Sequence, residues 1–348
     1  MSAIEKIHFR EVIRPLRTTF STSLGQKHFM KSVIVKVVLE DGSSGLGECP
    51  TSFVLKEETV PAIKGIIREV MPILKAVPID GHGDKIEQFR KAHPRNPMTI
   101  SGIEVALFRA AIQHKGISEH GCFGGRLKTL ETDITIPFIT DIGVIKGWID
   151  YALNKKFSTY KFKISGNVTE DKRFFSDVYR LLTEHIDTFT IRLDGNQGFT
   201  EKTYHRFVDF LMKNNFPVEL FEQPLPKNDY RGLKEIKKNS PFPLILDETV
   251  FSTADLERVA QDDLCHGINI KVAKSGIVES LKLYNGAKKY GLTLMIGCMI
   301  ETMVGLSAGI NFAAGTGGFD YIDLDAIHFL HHRNSYEEIT LSGPHYLL

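Results

Sequence analysis

The sequence predicts an α/β protein in which a barrel of eight strands alternating with helices follows a smaller α+β domain. Eight short apolar runs recur in the C-terminal two thirds of the chain, about one every 25 residues. Between them, 169–182 and 204–211 carry apolar residues at helical spacing. A chain of 348 residues is also longer than one hydrophobic core usually serves. This alternation is typical of parallel β/α barrels.

Each apolar run ends in a charged or reactive residue. In β/α barrels the functional groups lie at the C-terminal ends of the strands, so these residues are predicted to meet at one mouth. An open, doubly wound sheet is the alternative, but it would gather its site at one switch point. The runs occupy 132–138, 159–164, 189–194, 218–223, 243–248, 267–273, 293–299 and 321–326.

The beginning of the chain predicts strands. Residues 4–12 and 32–40 are rich in apolar and β-branched side chains. Asp41 and Gly42 then mark a turn.

Helices are predicted next. Apolar residues at helical spacing fill 57–75 and 101–116, with Ser101 as the N-cap of the second helix and Gly116 at its end. The glycine-rich stretch 121–131 is the predicted domain boundary.

Charge and composition exclude several classes of protein. The 43 basic and 42 acidic residues give a net charge of +1 without a long block of like charge, which argues against nucleic acid or a membrane surface as partner. Four scattered cysteines without a CxxC pair argue against a disulfide framework and a zinc knuckle. No signal peptide or membrane span is apparent. We expect a cytoplasmic protein that acts on a small molecule, and the sequence leaves open whether it forms a homo-oligomer.

Three predicted strand ends carry carboxylates suited to a hard metal ion. Asp194, Glu222 and Asp247 end three successive runs. Charges inside a barrel are costly to bury unless they are paired or bound to a metal. All-oxygen ligation suits Mg²⁺, which keeps positions open for a substrate.

Two lysines flank this predicted Mg²⁺ site. Side chains two apart on a strand share a face, so Lys161 and Lys163 should point into the barrel while Phe162 and Ile164 face the helices. Lys163 lies one run before the carboxylates and Lys271 one run after, so the two should approach from opposite sides. A lysine near a divalent cation and another cation has its charged form disfavoured, which lowers its pKa toward the range where it can act as a base. The pattern predicts a two-base proton transfer at a carbon next to a metal-bound carboxylate.

Other reactive residues have simpler interpretations. Cys298 stands at a strand end without a histidine base, so it is predicted to form part of the pocket wall. His328, His331 and His332 follow the last strand and are predicted to form a polar surface turn. Trp148 is predicted to be a packing residue.

The strand-end residues resemble those of the enolase superfamily, specifically its muconate-lactonizing subgroup, over essentially the whole chain. The resemblance implies a modified TIM barrel, (β/α)7β, at 126–328. It also implies an α+β capping domain with mobile substrate loops at 1–125, and a segment at 329–348 that returns to the cap. The signature residues are 161-KFK-163, 194-DGN-196, 222-EQP-224, 247-DE-248 and 271-KVAKSG-276.

The same resemblance implies a role for individual residues. Asp194, Glu222 and Asp247 would bind Mg²⁺, and Lys163 and Lys271 would form the acid/base pair. The implied supporting residues are Lys161, which would help to bind the substrate carboxylate, and Asn196 and Glu248 behind the ligands.

The last two runs indicate which reaction this site performs. The sequences 297-GCMIET-302 and 323-DLD-325 resemble those of dipeptide epimerases, in which the Asp-x-Asp pair binds the free α-ammonium of a dipeptide. Asp323 and Asp325 suit a cationic amine and suit an anionic substrate poorly. Thr135 would correspond to a substrate-contacting threonine. N-acylamino-acid racemase and o-succinylbenzoate synthase are the alternatives within the subgroup, and a non-catalytic binding barrel is the distant one.

The capping loops bear on the preferred dipeptide. L-Ala-D/L-Glu epimerases carry an arginine in the first loop, where this chain has Gly25. The second loop offers Phe53, Val54 and Leu55. We therefore expect inversion of the C-terminal residue of hydrophobic L-Ala-Xaa dipeptides. L-Ala-D/L-Glu epimerisation is the alternative, with Lys27 or Arg17 replacing the arginine.

Overall fold

A three-stranded antiparallel sheet begins the structure, a computed structural model that describes residues 2–52, 55–75, 77–331 and 339–348. The two predicted strands are confirmed but extend much further, because they form one long hairpin that pairs Ile4 with Leu39 and Thr22 with Gly25. Gly42 adopts a positive φ of 86° in the predicted turn. The strands are β1 (Ile4–Thr22), β2 (Gly25–Leu39) and β3 (Ser44–Pro50).

Helices cover this sheet, and one of their predicted ends is wrong. Ser101 is not an N-cap, because its helix begins one turn earlier at Pro97, a residue favoured in a first helical turn. Ser101 is buried inside the helix, where its hydroxyl donates to the backbone oxygen of Val272 at 2.6 Å. The helices are α1 (Val60–Leu74), α2 (His82–Ala92), α3 (Pro97–His114) and α4 (Glu119–Cys122).

After β4 (Thr129–Glu131) the chain forms a parallel sheet of eight strands, and all eight predicted runs contain one of them. The strands are paired in sequence order, so their carboxyl ends lie together at one mouth. They are β5 (Ile134–Ile136), β6 (Thr159–Lys163), β7 (Thr190–Asp194), β8 (Val218–Glu222), β9 (Leu244–Leu246), β10 (Gly267–Ile270), β11 (Thr293–Gly297) and β12 (Tyr321–Asp323).

Helices connect the barrel strands and bury their outer faces. Phe162 contacts Phe175 of the following helix, with ring centroids 5.3 Å apart, so the predicted alternation of faces on β6 is confirmed. Residues 134–323 are described throughout and contain eight strands and seven intervening helices, the predicted (β/α)7β order. The helices are α5 (Ile142–Asn154), α6 (Val168–Thr183), α7 (Glu201–Lys213), α8 (Tyr230–Asn239), α9 (Thr253–Gln261), α10 (Val272–Lys289) and α11 (Met303–Thr316).

The chain end packs back along the barrel and the cap. The final hairpin, β13 (Thr340–Ser342) and β14 (His345–Leu347), pairs with β4, and Leu330 forms a bridge with Leu16 of β1. The domain boundaries at 125 and 328 stay predictions. No helix among the described residues has both the length and the apolar character needed to cross a membrane.

Candidate active site

One cavity at the carboxyl ends of the barrel strands brings the predicted site residues together. Asp194 and Glu222 are fully buried and contact lysines that line it. The other predicted site residues line the cavity directly: Thr135, Lys161, Lys163, Asn196, Asp247, Glu248, Lys271, Cys298, Asp323 and Asp325.

The barrel register explains why Lys163 and Lys161 meet the first two carboxylates. Lys163 pairs with Asp194 across β6 and β7, and Asp194 pairs with Glu222 across β7 and β8. The Lys163 Nζ lies 2.5 Å from Asp194 Oδ2. Lys161, two residues earlier on the same face, places its Nζ 3.1 Å from Glu222 Oε2.

Asp247 follows β9 and is held by two lysines. Its Oδ2 lies 2.8 Å from Lys271 Nζ, and its Oδ1 lies 2.7 Å from Lys274 Nζ. Lys274 also donates to the backbone oxygen of Asp247 at 2.7 Å. Lys274 stood in the 271–276 signature without a predicted role. Its position three residues after Lys271, at the start of a helix, was the available signal.

The charges around Lys271 act in opposite directions on its pKa. Burial disfavours the ammonium, but Asp247 and Glu222 outweigh burial and raise the pKa of Lys271. Among the protein groups alone, the nearby carboxylates contribute more than the nearby lysines; the lowered pKa expected for a lysine near a divalent cation stays a prediction. Burial would raise the pKa of Asp247, yet Lys271 and Lys274 hold it below its usual range.

Oxygen atoms without a partner surround the predicted metal ligands. Asn196 donates to Glu248 Oε1 at 3.3 Å, and Asn269 donates to Glu222 Oε1 at 2.7 Å. Among the described residues, Asn196 Oδ1, Glu248 Oε2 and Asn269 Oδ1 are buried without a hydrogen-bond partner. Burial and the charges of Asp247 and Asp194 raise the pKa of Glu248 to about 8. Buried oxygen acceptors that lack donors fit a hard cation.

A second acidic cluster, composed of Asp133, Asp323 and Asp325, lies where the first barrel strand, β5, meets the last, β12. One oxygen of each lies within 4.8 Å of the others, and all three residues are buried. Asp323 contacts Lys161, and Asp325 Oδ2 accepts the backbone N–H of Thr135 at 2.6 Å. Burial and the charge of Asp323 raise the pKa of Asp325 to about 6. Asp133 was not predicted, although it precedes Thr135 by two residues and therefore shares its face.

The cap closes the cavity with side chains of the β1–β2 hairpin. The stretch expected as the first loop forms the closed end of this hairpin, where Ser23 donates to the backbone oxygen of Asn196 at 2.6 Å. Lys27 lines the cavity and donates to the backbone oxygen of Thr51 at 2.7 Å. Apolar cap residues share the lining: Phe20, Leu24, Leu55 and Met98.

The remaining candidate residues lie outside the cavity lining or outside the described residues. Arg17 donates to the backbone oxygen of Leu330 at 3.0 Å and does not line the cavity. Phe53 and Val54, predicted to form the pocket, lie outside the described residues, as does His332.

The prediction of a polar surface turn is wrong for His328. His328 does not belong to a surface turn: it is fully buried, and its ring packs edge-on against Phe157 with centroids 5.0 Å apart. The 3₁₀ turn Ala326–Phe329 folds inward here because its apolar residues join the core. Trp148 is a packing residue as predicted, and its Nε1 also donates to the backbone oxygen of Thr135 at 2.8 Å.

A (β/α)7β barrel under an α+β cap, with buried acids between two lysines, defines a barrel protein of the enolase type. Comparison with family models agrees, since residues 148–346 match the enolase C-terminal domain-like family. Residues 4–126 match the mandelate racemase / muconate lactonizing enzyme N-terminal domain. The chain therefore belongs to the enolase superfamily.

Several proteins similar to this chain are named as dipeptide epimerases. An aromatic dipeptide epimerase of Herpetosiphon aurantiacus is 31% identical over 94% of this chain and 91% of its own length. An L-Ala-D/L-Glu epimerase of Francisella tularensis subsp. novicida is 28% identical over 100% and 97%. A dipeptide epimerase of Enterococcus faecalis, solved with Mg and L-Leu-L-Tyr, has a TM-score of 0.91 and 26% identity, covering 99% of this chain and 97% of that one.

Proposed function

We propose that this protein is a Mg²⁺-dependent dipeptide epimerase that inverts the α-carbon of the C-terminal residue. The observation that carries the proposal is the placement of Lys163 and Lys271 in one cavity, on either side of buried carboxylates. Lys163, on β6, is paired with Asp194, and Lys271, which follows β10 four strands further along the barrel, is paired with Asp247. Acid–base groups on opposite sides of a cavity suit removal and return of a proton at one carbon.

The two lysines divide the proton transfer between them. One Nζ, in its neutral form, takes the proton as the α C–H bond breaks. The other Nζ, in its ammonium form, gives a proton to the opposite face of the same carbon. The α C–H bond and one N–H bond of the donating ammonium break, and a new N–H bond and a new C–H bond form, so the net result is inversion with exchange of the α-hydrogen.

Residues at the two ends of the cavity would orient the dipeptide. The carboxylates of Asp323 and Asp325 offer a buried negative site for the α-ammonium. Lys161 lies between Asp323 and Glu222 and would face the substrate carboxylate. Cys298, whose Sγ lies 4.0 Å from Asp325 Oδ1, would contact the N-terminal residue.

The residues present fit a divalent metal ion. Asp194, Glu222 and Asp247 would hold Mg²⁺, with Asn196 and Glu248 completing the oxygen-rich surroundings. Once bound, the ion would neutralise the negative charge that develops on the substrate as the α-proton leaves.

The cavity wall favours a hydrophobic C-terminal residue. Phe20, Leu24, Leu55 and Met98 give the cap side an apolar surface, as in a pocket for an apolar or aromatic side chain. The aromatic dipeptide epimerase among the similar proteins agrees with this preference. Lys27 on the same lining favours an acidic side chain and supports L-Ala-D/L-Glu epimerisation as the second candidate.

A pooled screen of L-Ala-L-Xaa dipeptides in D₂O with Mg²⁺, read by mass spectrometry for a gain of about one dalton, tests the proposal. Incorporation into apolar dipeptides supports both the reaction and the pocket, and incorporation only into L-Ala-L-Glu supports the second candidate. No incorporation into any dipeptide contradicts the proposal. N-acylamino acids and o-succinylbenzoate precursors, tested in parallel, would then identify the related reactions, and inactivity on all of them would favour a binding barrel.

A further inference from the structure

The barrel has a seam between its first and last strands, β5 and β12. Within the described residues no backbone ladder joins them, and they are the two ends of the strand order. One backbone hydrogen bond crosses the seam, from the N–H of Asp133 to the oxygen of Ile322 at 3.3 Å. Side chains make the other contacts: Leu324 N–H donates to Thr132 Oγ1 at 2.7 Å, and Thr135 N–H donates to Asp325 Oδ2.

A guanidinium on β7 reaches this seam from inside the barrel. Arg192 Nη1 donates to Asp133 Oδ2 at 2.8 Å and to the backbone oxygen of Ile322 at 2.9 Å. Ile322 immediately precedes Asp323. The Arg192 guanidinium therefore connects β5 and β12 beside the residue proposed to bind the ammonium, and Asp133 fixes its orientation.

Acidic side chains outnumber the basic side chains that contact them in this region. Asp133, Asp323 and Asp325 contribute three carboxylates, whereas the cations that contact them are Arg192 and Lys161. Lys161 is shared with Glu222 and Asp194. Asp133 engages Arg192 and does not line the cavity, whereas Asp323 and Asp325 do, so the carboxylates of Asp323 and Asp325 are the ones available to a substrate cation.

We propose that Asp133 and Arg192 form a positioning pair that holds β12 at the seam, so that Asp323 and Asp325 stay spaced for an α-ammonium group. This inference rests on the proposed epimerase function and adds to it two residues for which the sequence predicted no role in the reaction. Neither residue touches the reacting carbon. Their effect is on binding of the amino end of the dipeptide.

The test compares Asp133→Asn with Glu219→Gln in steady-state kinetics on L-Ala-L-Phe. Glu219 accepts from Arg192 Nε at 2.7 Å, but its side chain is one third exposed. It therefore controls for loss of an Arg192 ion pair alone. We expect Asp133→Asn to raise KM about tenfold with kcat changed less than about twofold, and Glu219→Gln to change neither by more than about twofold.

The conservative variant Arg192→Lys supplies a second measurement, and it carries the test if Asp133→Asn does not fold. It keeps a charge for Asp133 but cannot contact Asp133, Ile322 and Glu219 together, so a rise in KM of about threefold, smaller than that of Asp133→Asn, is expected. An unchanged KM in the folded variants, an equal rise in Glu219→Gln, or a fall in kcat alone overturns the inference while the epimerase proposal stands. A wild-type protein that exchanges the α-hydrogen of no dipeptide overturns both this inference and the epimerase proposal.

Discussion

Lys274 binds Asp247 at two points, through the carboxylate and through the backbone oxygen, each at 2.7 Å. It also donates to the backbone oxygen of Asn269 at 3.1 Å, so one ammonium joins the ends of β9 and β10. This lysine therefore fixes both the position and the rotamer of a proposed metal ligand.

Replacing Lys274 with Met is expected to weaken Mg²⁺ binding about tenfold to a hundredfold, because groups that orient metal ligands contribute that much to affinity. Calorimetric titration of the protein with Mg²⁺ measures the effect without a substrate. Lys282→Met, on the same helix but 55% exposed, is the matched control. Tighter Mg²⁺ binding in Lys274→Met would show that removing a repelling charge outweighs the loss of orientation.

Replacing Lys163 or Lys271 with Ala is expected to abolish epimerisation, with a loss of at least about a hundredfold in kcat, because each lysine serves one face of the α-carbon. The variants should differ in solvent exchange. Each variant should still exchange the α-proton with solvent when the C-terminal residue has one configuration, L or D. The configuration that still exchanges should differ between the two variants. Exchange from both configurations in either variant would contradict the two-base assignment; Lys146→Ala, on the exposed face of α5, serves as control.

Replacing Asp325 with Asn is expected to raise KM for dipeptides about tenfold or more, because a hydrogen bond to a charged group contributes about 1.5–3 kcal/mol. The amide oxygen can still accept from Thr135, so the seam contact is kept. Asp320→Asn provides the comparison, since that carboxylate lies before β12 and accepts from Leu294 at the opposite end of the barrel. Unchanged KM in Asp325→Asn would place the ammonium elsewhere.

The preference between acidic and apolar dipeptides is expected to depend on pH through Lys27. Burial and the nearby Lys31 lower the pKa of Lys27 to about 8. Lys27 is therefore charged below this pH and neutral above it, so kcat/KM for L-Ala-L-Glu relative to L-Ala-L-Phe should fall as pH rises through about 8.

Two variants sharpen this pH prediction. Lys27→Met should remove the pH dependence of the ratio. Lys31→Met should move it to higher pH, because a repelling charge is lost. A ratio that stays constant with pH in the wild-type protein would exclude Lys27 from contact with the side chain.

The barrel and its ring of acids and lysines could be predicted because both depend on local pattern. Apolar runs with period-two alternation determine which side chain faces inward, so Lys161 and Lys163 could be assigned to one face from the sequence. The spacing of one β/α unit then places Asp194, Glu222, Asp247 and Lys271 at one mouth. No long-range information was needed for these residues, since each follows from its own strand.

Contacts between segments distant in the chain required the tertiary structure. The burial of His328 against Phe157, the hydrogen bond of Ser101 with Val272 and the salt bridge of Asp133 with Arg192 each join residues whose own sequence neighbourhoods carry no signal for the partner. The effect of Asp247 and Glu222 on the pKa of Lys271 likewise depends on how closely these carboxylates, from other strands, approach it. Electrostatic and packing energies depend on distances in space, which a pattern along the chain does not contain.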